Sequence, residues 1–185
     1  MNFNPRKLFV IVGYPHTGKT KTIRHIFQRK HFFPFKQPFK AAGLDNEEFI
    51  VINISDHNLR TESSLLRITS VMQYHIASSA SFLVVLSLAF DNSIRDVKKI
   101  LAYFNQSGFD IHYLVLYSSW RDKRVISEQD MALLEQHITQ GPIQVLERLV
   151  TKSELRFNQR AEELRLMMMR SLEKKRWPGR NKDRG

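Results

Sequence analysis

Gly13-Tyr14-Pro15-His16-Thr17-Gly18-Lys19-Thr20 reads G-x-x-x-x-G-K-T and directly follows Leu8-Phe9-Val10-Ile11-Val12. That unbroken apolar run predicts a short strand buried on both faces, as in a parallel sheet. Residues 20–30 contain no Gly or Pro and set Ile23, Ile26 and Phe27 on one side of a helix. Strand, glycine-bounded turn and helix in this order predict a cradle for phosphate. Gly13 and Gly18 let the backbone curl until consecutive N–H groups converge on one anion. A helix starting near Gly18 adds the positive end of its dipole. Lys19 has the reach for β- and γ-phosphates, and the Thr20 hydroxyl for the shell of a Mg²⁺ ion. The expected binding stretch is Gly13, Tyr14, Pro15, His16, Thr17, Gly18, Lys19, Thr20 and Lys21, with Lys19 also stabilising charge during chemistry.

A chain of 185 residues, 42% of them hydrophobic, can fill one substantial α/β core. No apolar run approaches the roughly 20 residues of a membrane span. The N-terminus reaches the glycine loop too soon for a cleaved signal peptide. Cysteine is absent, which excludes disulfides and thiolate metal sites. The expected setting is cytoplasmic, without membrane contact. Residues 1–44 hold nine basic and no acidic side chains, 45–150 nine basic and thirteen acidic, and 151–185 eleven basic and five acidic. The basic first part suits a polyphosphate ligand. Lys174, Lys175, Arg176, Arg180, Lys182 and Arg184 surround Trp177 in a tail with two readings: contact with nucleic acid or an acidic protein, or solubility alone.

Beyond the loop, strand and helix alternate. Strands are predicted over 49–54, 82–88 and 111–117, with the second central because it is the most apolar, while 143–150 reads as either strand or helix. Helices are predicted over 65–77 (Leu65, Ile68, Met72, Ile76), 93–106 (Ile94, Val97, Leu101, Phe104) and 127–137, the last capped by Ser127. Thr151 opens a capping box with Glu154, and a final helix runs to about residue 176 on the stripe Phe157, Ala161, Leu164, Met168 and Leu172. The expected architecture is a three-layer α/β fold, a mostly parallel sheet with helices on both faces, over residues 1–150. A C-terminal amphipathic helix over 151–176 and a basic disordered tail over 177–185 extend it. Such sheets bind ligands beyond the carboxyl ends of their strands, where the loop, Asp56 and Asp91 fall.

With its G-x-x-x-x-G-K-T loop in this setting, the chain resembles the P-loop NTPases, in particular the small kinases of the polynucleotide-kinase-like and zeta-toxin-like branch. Ile52-Asn53-Ile54-Ser55-Asp56-His57-Asn58-Leu59-Arg60 is similar to the second strand of that branch, which leads into an Asp and then an Arg. The resemblance implies ATP and Mg²⁺ as ligands, Asp56 as acceptor of the proton from an attacking hydroxyl, and Arg60 as a holder of the acceptor substrate. It also implies a carboxylate near Mg²⁺ at the third strand. Here that place falls on Ser87, which cannot supply the charge: either Asp91, the nearest carboxylate, reaches back as the metal ligand beside Thr20, or metal binding is incomplete. The arginine-bearing lid of these kinases corresponds to Ser118-Ser119-Trp120-Arg121-Asp122-Lys123-Arg124, where Arg121 and Arg124 either neutralise the transferring phosphoryl group or belong to a solvated loop.

The base-reading N/T-K-x-D and switch D-x-x-G patterns of GTPases have no good match. Phe32-Phe33-Pro34-Phe35-Lys36-Gln37-Pro38-Phe39-Lys40 reads either as a stacking surface for a base or partner, or as a stiff connector whose phenylalanines plug the core edge. Two functions follow as expectations. One is an ATP–Mg²⁺ phosphotransferase or ATPase. The other is a nucleotide-binding regulatory or assembly module with little catalysis, docked to a protein or nucleic acid through the basic tail.

Overall fold

All seven residues of β1 (Lys7–Gly13) are buried, because strands cover both of its edges and helices both of its faces. The computed structural model describes residues 5–29, 37–55, 59–90, 96–121 and 123–173. Five parallel strands carry the sheet: β1, β3 (Glu47–Ile54), β4 (Ser81–Ser87), β5 (Asp110–Leu116) and β6 (Ile143–Leu146). A short β2 (Phe39–Ala41) adds an antiparallel edge, and the spatial order is β2-β3-β4-β1-β5-β6. Val10 stands level with Val84 of β4 and Tyr113 of β5.

Alternation along the strands divides the core. Leu8, Val10 and Val12 face α2 (Thr61–Tyr74), α3 (Val97–Asn105) and α4 (Glu128–His137), through Ile68, Met72, Ile100, Leu101, Phe104 and Leu134. Phe9 and Ile11 face α1 (Lys19–Ile26) and α5 (Glu154–Glu173), through Ile23, Ile26, Ala161, Leu164 and Met168. The result is a mostly parallel six-stranded sheet with helices on both faces.

Strand order and helix placement together locate a crevice. The chain leaves β1 through α1 on one face and leaves the adjacent β4 through α3 on the other. Neighbouring strands that feed opposite faces leave a gap beyond their carboxyl ends. The glycine loop occupies that end of β1.

Several predicted boundaries shift. The first helix ends at Ile26 instead of residue 30, because Gln28 takes a left-handed φ of 52°. Ile76, assigned to a buried stripe, follows the end of α2 and is 78% exposed; Thr61 and Ser64 are buried on that helix instead. The predicted capping box at Thr151 is replaced by a turn with Lys152 at φ 55°, and the Ser153 hydroxyl accepts from the Arg156 amide at 3.4 Å. The open segment 143–150 resolves into strand β6 followed by loop. Ser127 caps α4 as expected, accepting from the Asp130 amide. Of the Phe/Pro-rich segment, Phe39 meets Phe27 edge-on at 5.2 Å, in keeping with the connector reading, while 32–36 lie outside the described residues.

Candidate functional site

The loop 13–20 is closed by its own lysine. Lys19 is only 4% exposed, and its ammonium donates to Gly13 O at 2.9 Å, Tyr14 O at 2.6 Å and the Thr17 hydroxyl at 3.3 Å. These oxygens draw the two ends of the turn around the cation. Gly13 allows the closure, since a Cβ there would lie 3.0 Å from Thr17 Oγ1 and 3.2 Å from Leu116 O. Gly18 precedes α1 in the left-handed region at φ 82°, which costs a residue with a Cβ and not glycine. His16, at φ 62°, takes the same conformation on the exposed crest of the turn.

Pro15, His16, Gly18, Lys19, Thr20, Lys21 and Ser55 line a cleft of about 240 Å³. The N-terminus of α1 opens on this region. Polar side chains from the carboxyl ends of β3 and β4 gather beside it. Asn53 Nδ2 donates to the Thr20 hydroxyl at 3.4 Å, Asn53 Oδ1 accepts from the Ser55 hydroxyl at 2.7 Å, and Ser87 Oγ donates to Ser55 O at 2.8 Å. Each of these groups is neutral.

The segment after β5 folds against the loop. Trp120 N donates to His16 O at 3.1 Å, and Ser119 Oγ reaches the same carbonyl at 3.3 Å. Arg124 stacks over the Tyr14 ring at 3.9 Å, and the Tyr14 hydroxyl donates to Asp130 of α4. Burial raises the Asp130 carboxyl pKa, opposed by its hydrogen bond from the Ser127 backbone. Lys21 lies over the rings of Trp120 (3.9 Å) and Phe157 (4.4 Å) and pairs with Glu154 at 2.6 Å.

Beneath the loop, Arg160 of α5 is fully buried. It donates to Thr17 O at 2.7 Å, Ser118 O at 3.1 Å and Thr22 Oγ1 at 3.4 Å. Its Nε has no hydrogen-bond partner among the described residues, and burial lowers the guanidinium pKa to about 10.

Of the predicted stretch, Pro15, His16 and Gly18 to Lys21 line one cleft, whereas Gly13, Tyr14 and Thr17 are buried in the loop, with Arg124 over the Tyr14 ring. Arg121 is exposed, and Arg60 stands exposed at the N-cap position of α2 with no side-chain capping bond. Asp56 and Asp91 lie outside the described residues, as does the tail beyond residue 173. No group of three or more His, Asp or Glu suited to a metal ion occurs among the described residues. Sequence reasoning missed Asn53, Ser55, Trp120 and Arg160 as neighbours of the loop. Arg160 carried a signal, because position 160 falls on the same helical stripe as Phe157 and Leu164. Neither a protein-family model, a curated protein nor a solved structure matches this chain.

Proposed function

We propose that this chain is a P-loop protein that binds a nucleoside triphosphate, ATP in the first instance, and acts as a small-kinase-type phosphotransferase or ATPase. The observation that carries this reading is the position of the G-K-T turn: it links the end of β1 to the start of α1, beside a strand whose own exit lies on the opposite face. The local chemistry fits a phosphate ligand. A buried ammonium is held by carbonyl and hydroxyl oxygens that phosphate oxygens can replace, and the cleft is lined by Lys19, Lys21 and a helix N-terminus. Thr20 offers one hydroxyl, which suits Mg²⁺, an ion that keeps several waters and takes its remaining oxygens from phosphates.

Under this reading Lys19 exchanges its loop carbonyls for β- and γ-phosphate oxygens, and Thr20 and Asp91 are the residues that would hold Mg²⁺. Mg²⁺, when bound, neutralises charge on the phosphates. Asp56 takes the proton of an acceptor hydroxyl held by Arg60. The hydroxyl oxygen bonds to the γ-phosphorus as the bond to the β–γ bridging oxygen breaks, and ADP leaves. Arg121 and Arg124 offset the charge that develops.

The regulatory alternative draws on a specific feature. Asn53, Ser55 and Ser87 put neutral groups at the ends of β3 and β4, next to Thr20. A nucleotide held there without an anchored metal turns over slowly.

Calorimetry with ATP and Mg²⁺ tests binding. Lys19→Ala is expected to abolish or strongly weaken it, and equal affinity in both proteins would sink the assignment. Turnover with added hydroxyl acceptors separates the two functions. Asp56→Asn is expected to leave ATP affinity nearly intact while lowering turnover about 10²–10⁴-fold, the reach of positioned proton transfer. Asp91→Asn is expected to reduce metal dependence and turnover together. Absence of turnover across acceptors selects the regulatory module.

A further inference from the structure

Arg160 approaches the glycine loop from α5, 143 residues away in sequence, and takes hold of a single peptide unit. The Thr17–Gly18 peptide bond, like every other among the described residues, is trans, so its C=O and N–H point in opposite directions. A guanidinium that holds Thr17 O at 2.7 Å from beneath therefore turns the Gly18 N–H away from α5, toward the cleft side of the loop. The other arm of the fork holds Ser118 O at 3.1 Å, at the start of the segment that covers His16. One planar side chain thus sets the relative position of both. Gly18 is fitted to this arrangement, since a Cβ there would stand 3.2 Å from Arg160 Nη2 as well as straining a φ of 82°.

The charge of Arg160 points the same way. The residue is fully buried, and among the described residues the oxygens it bonds are two carbonyls and one hydroxyl, all neutral. A buried cation without a carboxylate carries an uncompensated desolvation cost. An anion lodged above the loop lowers that cost through the short, water-poor path between them.

We propose, resting on the phosphate-site reading above, that Arg160 is the positioning residue of the site: it turns the Gly18 amide toward a bound polyphosphate, whose negative charge complements the buried guanidinium. Polyphosphate binding and the docking of α5 are then linked. Ligand tightens the helix on the loop, and the docked helix preorganises the loop for ligand.

The test uses the full chain with pyrophosphate and, separately, ATP–Mg²⁺. Calorimetry gives affinity, thermal denaturation gives the ligand-induced rise in Tm, and the Gly18 amide signal in ¹H–¹⁵N NMR reports the peptide unit. Arg160→Met is expected to weaken pyrophosphate binding by about 10- to 100-fold, the range for charge-assisted contacts. It should also shrink the rise in Tm and remove the Gly18 response. Arg160→Lys, which keeps the charge and loses the fork, should regain part of the affinity without the wild-type Gly18 shift. Wild-type affinity and an unchanged Gly18 response in Arg160→Met overturn the proposal and leave the phosphate site standing. Failure of the wild-type protein to bind either ligand overturns both. If Arg160→Met does not fold, Arg160→Lys decides: reduced affinity with an altered Gly18 response supports the proposal, and wild-type behaviour refutes it.

Discussion

Lys7 and Asp110 pair at 2.5 Å at the amino ends of β1 and β5, the end of the sheet away from the glycine loop. His112 adds a contact to the same carboxylate at 3.3 Å and stacks on Phe9. Burial alone would raise the Asp110 pKa, but the hydrogen bond and charge of Lys7, with His112, outweigh it and hold the carboxyl below its usual range. A carboxyl that titrates lower in the folded state than in the unfolded chain stabilises the fold above the unfolded value, about 4. That contribution disappears as the pH falls through the folded value. Wild-type Tm is therefore expected to drop more steeply below about pH 4 than that of Asp110→Asn. Parallel acid limbs in the two proteins would show that the pair contributes nothing to acid stability.

Among the elements, α5 shows how periodicity becomes structure. Phe157, Ala161, Leu164, Met168 and Leu172 repeat at helix spacing and are all buried, whereas Leu155 and Leu166 lie off the stripe and are 69% and 40% exposed. Met167 and Met169 flank Met168 and pack partly against the same cluster. Met168→Ala should cost about 2–5 kcal/mol, the range for truncating a buried methionine. Leu166→Ala should stay within about 0.5 kcal/mol. Urea denaturation of the two variants measures both, and similar losses would mean that α5 does not dock by this stripe. The ends of the elements were less legible than their faces. The first helix stops because Gln28 turns left-handed, and α5 starts after a left-handed Lys152. Neither residue type advertises that conformation, since only glycine, and to a lesser degree Asn or Asp, adopts it readily.

At the scale of the whole molecule, the two core layers meet the ligand end of the sheet through the loop 13–20. Tyr14 belongs to the cluster under α2, α3 and α4, while Ile23 and Ile26 of α1 belong to the cluster under α5. The described fold reaches Glu173, and Leu172 is still 7% exposed within the core. Removal of residues 174–185 spares the buried stripe of α5 through Leu172, and ATP affinity measured by calorimetry is expected to survive it. If the tail contacts nucleic acid, the same cut abolishes RNA or DNA retention at low salt, and the intact protein loses that retention steeply as salt rises, through counterion release. Retention that survives the cut assigns the contact to the basic first part of the chain, where Lys21, Arg24 and Lys40 are exposed.

The sequence by itself determined the strand, glycine turn and helix at the start of the chain, the alternation that makes a parallel sheet, the buried stripe of α5 and, from Val97 on, that of α3, whose predicted Ile94 lies outside the described residues. Each of these is written in residues a few positions apart, because side-chain direction repeats every two residues in a strand and every three to four in a helix. The edge strand β2, the strand character of β6 and the surroundings of the loop were decided only by tertiary structure. Asn53 reaches Thr20 across 33 residues, Ser119 reaches His16 across 103, and Arg160 reaches Thr17 across 143. A hydrogen bond requires its partners within about 3 Å. Which distant residues meet at that distance depends on strand order and on the face each helix covers. Those choices arise from packing the whole core, so a polar residue such as Arg160 gains its role at the loop only when α5 closes over the sheet.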